Sequence, residues 1–121
     1  MAIHYQPKVS FETGSLCGAE ALLRWQSSRH GMVPPDTFIP LAEETGLMNP
    51  LTRWVLNGAL SQQSRWRAEG LVVPVAVNLS LTTLHNSDFP DQVGALLRKW
   101  GIPANHLVFE ITESSIMSDV A

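Results

Sequence analysis

Three oxygen-bearing side chains stand inside three apolar runs of this 121-residue chain. They are Glu20 in Gly18-Ala19-Glu20-Ala21-Leu22-Leu23-Arg24-Trp25, Asn78 in Val75-Ala76-Val77-Asn78-Leu79-Ser80, and Glu110 in Leu107-Val108-Phe109-Glu110-Ile111-Thr112. A carboxylate buried in such a run without a partner costs several kcal/mol. Each is therefore expected to be paired, to ligate a metal, or to lie at a strand end near water. Two carboxylates and an amide oxygen suit Mg²⁺, Mn²⁺ or Ca²⁺ and suit a soft metal poorly. Structural ion pairs, above all Glu20 with Arg24, are the competing reading.

If these runs are strands, side chains alternate between faces, so Glu20, Leu22 and Arg24 share one face and Ala21, Leu23 and Trp25 the other. Arg24 could then clamp an anionic ligand such as a phosphate. Thr112 shares the face of Glu110. Glu113, three residues after Glu110, projects to the other face or lies beyond the strand, which favours organising a loop over ligation. Gln6 is a polar side chain at a strand position, open between an ordinary edge hydrogen bond and a ligand contact. His4, His30, His85 and His106 lack the spacing of a zinc site and read as surface or loop residues. The single Cys17 cannot form an internal disulfide, which fits a reducing cytoplasm, and is expected to be a small buried filler.

The elements that must position these groups follow from pattern and punctuation. Residues 3–9 form a first strand, and Glu12-Thr13-Gly14 turns it back into a second over 18–25, antiparallel to the first. Asp36 opens a short helix over 36–45, with Pro40 in its first turn. Asn49-Pro50 starts a long helix running to about Glu69 and stopped by Gly70, with Leu51, Trp54, Val55, Ala59 and Trp66 as its apolar stripe. Gly58 within it permits close packing. Residues 72–80 are nearly all apolar and β-branched, as expected of a strand covered on both faces. Ser87 or Asp88 caps a helix over 89–100, closed by Gly101, and 107–112 form a last strand. Strand–helix alternation predicts an α/β fold of parallel βαβ units, with Glu20, Asn78 and Glu110 toward the carboxyl ends of their strands, where α/β sites gather.

Composition narrows the function. The chain is 45% hydrophobic and 16% charged with a formal net charge of −3, so it offers no electrostatic footprint for a nucleic-acid polymer. It holds no apolar run long enough to span a membrane and lacks the apolar core of a signal peptide at its start.

Five motifs, in order and spacing, resemble the EAL-domain cyclic-di-GMP phosphodiesterases: Tyr5-Gln6-Pro7-Lys8, Glu20-Ala21-Leu22-Leu23-Arg24-Trp25, Phe38-Ile39-Pro40-Leu41-Ala42-Glu43-Glu44-Thr45-Gly46-Leu47, Val77-Asn78-Leu79-Ser80 and Phe109-Glu110-Ile111-Thr112-Glu113-Ser114. The resemblance implies a (β/α)8 TIM-type barrel whose first strand runs antiparallel. It also implies hydrolysis of cyclic-di-GMP to pGpG with two Mg²⁺ or Mn²⁺ ions. By motif, Glu20, Asn78 and Glu110 would ligate one ion and Arg24 would meet a substrate phosphate. Gln6 and Leu22 would lie near the nucleotide, and Glu113 would hold a catalytic loop.

A barrel of this type is about twice as long, so residues 1–121 correspond to the N-terminal half of an EAL domain, a truncated barrel of about four strands. The family's later Asp-Asp-Phe-Gly, lysine, glutamate and glutamine motifs are not among these residues, so the chain alone is expected to lack phosphodiesterase activity. Open sheet edges and an uncovered barrel interior predict completion by self-association into a homo-oligomer. The alternative is a non-catalytic module that binds cyclic-di-GMP or a protein partner through the open half-barrel.

Overall fold

A computed structural model of the chain describes residues 2–27, 31–33, 39, 42 and 44–111. Its elements run β1 Ala2–Val9, β2 Leu16–Ser27, β3 Gly31–Val33, α1 Met48–Ala68, β4 Val75–Leu79, α2 Leu81–Leu84, α3 Phe89–Trp100, a 3-10 turn Ala104–His106 and β5 Leu107–Ile111. The sheet order is β1-β2-β4-β5, with β3 pairing on β2. β1 runs antiparallel to β2, whereas β2, β4 and β5 are mutually parallel. This is the α/β arrangement expected from the strand–helix alternation. Pro7 sits opposite Ala19 in β1, a strand paired on one side only among the described residues, where a missing N–H costs no ladder bond.

One face of the sheet is the core. Ala19, Ala21, Val75, Val77 and Leu79 pack with Val55, Leu56 and Ala59 of α1 and with Phe89 of α3. Ile3, Tyr5 and Phe109 close over this cluster, Tyr5 meeting Trp66 edge-on at 5.1 Å and Phe109 meeting Phe89 at 5.6 Å. Gly58 lets β1 approach α1: a Cβ there would stand 2.5 Å from Ile3 Cδ1, and the Tyr5 hydroxyl donates to the Gly58 carbonyl at 3.4 Å. Gly70 ends α1 with a φ of +89°. Its N–H bonds the Arg67 carbonyl and the N–H of Leu71 bonds that of Trp66, satisfying carbonyls the helix leaves open.

Several elements differ from the pattern-based expectation. α1 begins at Met48, with Leu47 at the cap and no side-chain cap bond, so Pro50 stands in the first turn rather than at its first position. Its buried side is Met48, Thr52, Val55, Leu56, Ala59, Leu60 and Gln63, while Trp54 is 47% exposed. The strand expected over 72–80 is shorter, Val75–Leu79, and α2 follows it directly. β2 is longer than expected, and its continuation forms a hairpin with β3. Cys17 is exposed rather than a buried filler. The register slips between Lys8 and Val9, pairing Lys8 with Gly18 and Val9 with Leu16, so Cys17 is the extra residue of a bulge. The helix expected over 36–45 falls largely outside the described residues, as do Thr112 and Glu113. Among the described residues no helix is long and apolar enough to cross a membrane.

Candidate functional site

The face of the sheet turned away from α1 carries the polar residues singled out in the sequence. Gln6 pairs with Glu20 and His4 with Leu22 across β1 and β2, and Ala2 pairs with Arg24. Glu20 lies beside Ala76, and Asn78 directly beside Glu110. On β4 the alternation is plain: Val75 and Val77 are buried against the helices, whereas Asn78 between Val77 and Leu79 is exposed. Glu20, Asn78 and Glu110 therefore stand on one face of three adjacent parallel strands. Asn78 and Glu110 are next to last in β4 and β5, the end where such folds build their sites, whereas Glu20 is level with Ala76 in the first half of the long β2 rather than toward its carboxyl end.

Glu20 and Glu110 flank β4 on this face, and each carboxyl shifts the titration of the other. Ala76, the residue of β4 beside Glu20, carries only a methyl group. Burial holds the Glu20 carboxyl above the ordinary carboxylate range, and the charge of Glu110 and the bond to it push the same way. Glu110 is held below that range, first by its hydrogen bond from Lys8, against the opposing effect of burial. Lys8 Nζ donates to Glu110 Oε1 at 2.8 Å, with the two side chains 44% and 38% exposed. That bond raises the lysine above its ordinary value. Two carboxyls facing each other and drawing a cation form an arrangement that a divalent ion would relieve.

Arg24 is half-buried, and its Nη1 donates to the Leu23 carbonyl at 3.0 Å. Its charge is the weakest influence on Glu20, behind Glu110 and Lys8. The Glu20–Arg24 ion pair that competed with a metal site therefore does not dominate here. Arg24, Leu22, Asn78 and Ser80 line a cavity of about 180 Å³ with residues of α1, among them Met48, Leu51 and Thr52. Two of its lining residues, Thr52 and Ser80, join Thr83 in a buried cluster of hydrogen-bonded hydroxyls. Gln6 and His4 are exposed on the same face of β1. His85 is exposed, and His106 bonds Arg67 Nη1 through Nδ1 at 3.1 Å.

The structure thus brings Glu20, Asn78 and Glu110 together, with Gln6, Leu22 and Arg24 on the same face. Glu113 lies outside the described residues. Sequence reasoning assigns Lys8 no role. The available signal is its spacing, two residues after Gln6 on an alternating strand, which places it on the face of Glu20. The donor set of two carboxylates and one amide oxygen fits a hard divalent ion. Among the described residues no group of three or more His, Cys, Asp or Glu offers a competing centre.

The chain matches the EAL domain family over residues 1–121. It is 45% identical over 114 residues to the oxygen sensor protein DosP of Escherichia coli, covering 93% of this chain and 14% of that protein. It is 40% identical over 120 residues to the bifunctional diguanylate cyclase/cyclic di-GMP phosphodiesterase MucR of Pseudomonas aeruginosa, covering 98% of this chain and 18% of that protein. The solved PaMucR phosphodiesterase in complex with c-di-GMP superposes with a TM-score of 0.89 at 40% identity, covering 98% of this chain and 49% of that chain.

Proposed function

The chain belongs to the EAL-domain family, and from that premise we propose that it supplies the metal-holding wall of a cyclic-di-GMP phosphodiesterase site. The observation that carries this reading is the register that sets Glu20, Asn78 and Glu110 on one face of three adjacent strands, with Glu110 directly beside Asn78 and Glu20 one strand away. These three would hold one Mg²⁺ or Mn²⁺. A divalent ion so held supplies charge neutralisation at a phosphate and an activated water.

The chain's own residues do the rest of this share of the work. The Arg24 guanidinium has donors left beyond its bond to Leu23 and can take a substrate phosphate. Leu22 offers an apolar surface and Gln6 an amide to the nucleotide. By its place in the family motif, Glu113 would hold a catalytic loop of the whole domain. The 121 residues correspond to the N-terminal half of the domain and by themselves carry ligands for one ion, so they give no turnover of cyclic-di-GMP alone. In the whole domain the same residues take part in opening one phosphodiester bond to leave pGpG.

β1 and β5 each have an unpaired edge among the described residues, and Val108 on the site face is 44% exposed. A second copy of the chain covers these surfaces in solution, and light scattering after size exclusion reads this directly. A dimer or larger species supports the association, and a stable monomer at micromolar concentration contradicts it.

The function itself is tested by calorimetry of cyclic-di-GMP with Mg²⁺ present, using the wild-type chain and Arg24→Ala, alongside a hydrolysis assay. Binding that Arg24→Ala weakens at least about tenfold, the loss expected of a charge-assisted contact, supports the reading. Equal binding by the two proteins contradicts it.

A further inference from the structure

We propose that Lys8 is a tethered competitor at the candidate metal site: its ammonium and a divalent ion contend for the same Glu110 oxygen, so Lys8 sets how tightly the site takes metal. This rests on the reading of Glu110 as a ligand. Lys8 Nζ stands 2.8 Å from Glu110 Oε1, which leaves that oxygen's approach shared between the ammonium and any incoming cation. The charge of Lys8 also acts on Glu20, so the ammonium influences both carboxylates. Its origin is fixed: Lys8 pairs with Gly18 beside the bulge, and the Cys17 thiol donates to the Lys8 carbonyl at 3.3 Å.

A lysine ammonium is a compact point charge on a flexible stem. It can neutralise Glu110 and then swing away, whereas a second divalent ion or a rigid guanidinium would not leave so readily. Two cations within a few ångströms repel, so metal entry has to displace the ammonium and break an existing bond. The residue positions charge at the site and is not itself a ligand.

The test is Mn²⁺ binding by the full chain, measured by calorimetry and by electron paramagnetic resonance of free Mn²⁺. Wild type is compared with Lys8→Met, Lys8→Gln and Glu110→Gln, and far-UV circular dichroism checks each fold. Both Lys8 variants are expected to bind Mn²⁺ about fivefold tighter, the scale of a partly exposed charge pair. Glu110→Gln is expected to bind at least about tenfold weaker, the scale of losing a hydrogen bond to a charged group. Lys8 variants that bind like wild type or more weakly, while Glu110→Gln is impaired, overturn the competitor role and leave the ligand assignment standing. A Glu110→Gln variant that binds like wild type overturns both. Should one Lys8 variant fail to fold, the other measures the same competition, since both remove the charge and keep an unbranched stem.

Discussion

Lys8 Nζ lies 2.8 Å from Glu110 Oε1, joining the first and last strands of the sheet across 102 positions of sequence. Both side chains are more than a third exposed, so the bond itself adds little to folding. Replacing Lys8 by Met is expected to change the unfolding free energy by less than about 1 kcal/mol in urea titration. A larger loss would show that the bond holds the sheet edges together instead of tuning the site.

Gln63 makes the opposite kind of contact. It is 2% exposed, and its Nε2 donates to the carbonyls of Val73 and His106 at 3.1 and 2.9 Å, tying α1 to the entries of β4 and β5. Gln63→Leu keeps the volume and strands both carbonyls. It is expected to cost about 2 kcal/mol, read as a lower urea midpoint with an unchanged slope.

Gly58 is a packing contact whose sign depends on the size of the replacement. A Cβ would meet only the far end of Ile3, a half-buried side chain able to shift. Gly58→Ala is expected to be near neutral, because relief of the glycine penalty in a helix of about 1 kcal/mol offsets the displacement of Ile3. Gly58→Leu drives a branched side chain into β1 and is expected to cost about 1–3 kcal/mol. Thermal unfolding of the pair decides it, and equal midpoints would contradict the close approach.

Much of this organisation is legible in the chain, and the rest has identifiable physical causes. The β-branched run around Val75–Leu79 and the glycine-terminated Phe89–Trp100 carry their periods openly, although Asp88, expected with Ser87 as a cap, makes no side-chain cap bond. β3 and α2 are three and four residues long, too short for any period to register. The α1 stripe is disguised because Thr52 and Gln63 occupy buried positions while the apolar Trp54 faces out. Cys17 escapes the pattern because a bulge breaks the count of alternating faces, and Gly18 beside it is the one signal that could have announced it. In the site, Glu20, Asn78 and Glu110 stand out because oxygen ligands are costly in apolar strands. Lys8 does not stand out, since a lysine on a strand paired on one side costs nothing and its partner is 102 residues away.

Tyr5 gives a pH dependence with a definite sign. Burial holds its hydroxyl above 10.0, with Arg65 opposing. The folded chain therefore keeps the proton that the unfolded chain releases first. The stability this provides is complete below the unfolded value and is lost as pH rises through the folded one. Between about pH 9 and about pH 11 the melting temperature of the wild type is expected to fall more steeply than that of Tyr5→Phe. Parallel profiles would show that Tyr5 ionises alike in both states.

The most direct test of the metal-holding role is anomalous diffraction at the manganese edge from crystals of the chain grown with Mn²⁺. The expected result is a peak bounded by the Glu20 and Glu110 carboxylates and the Asn78 amide oxygen, with Lys8 Nζ withdrawn from Glu110. A chain that binds Mn²⁺ at other residues, or shows no peak between these three side chains, would contradict the assignment.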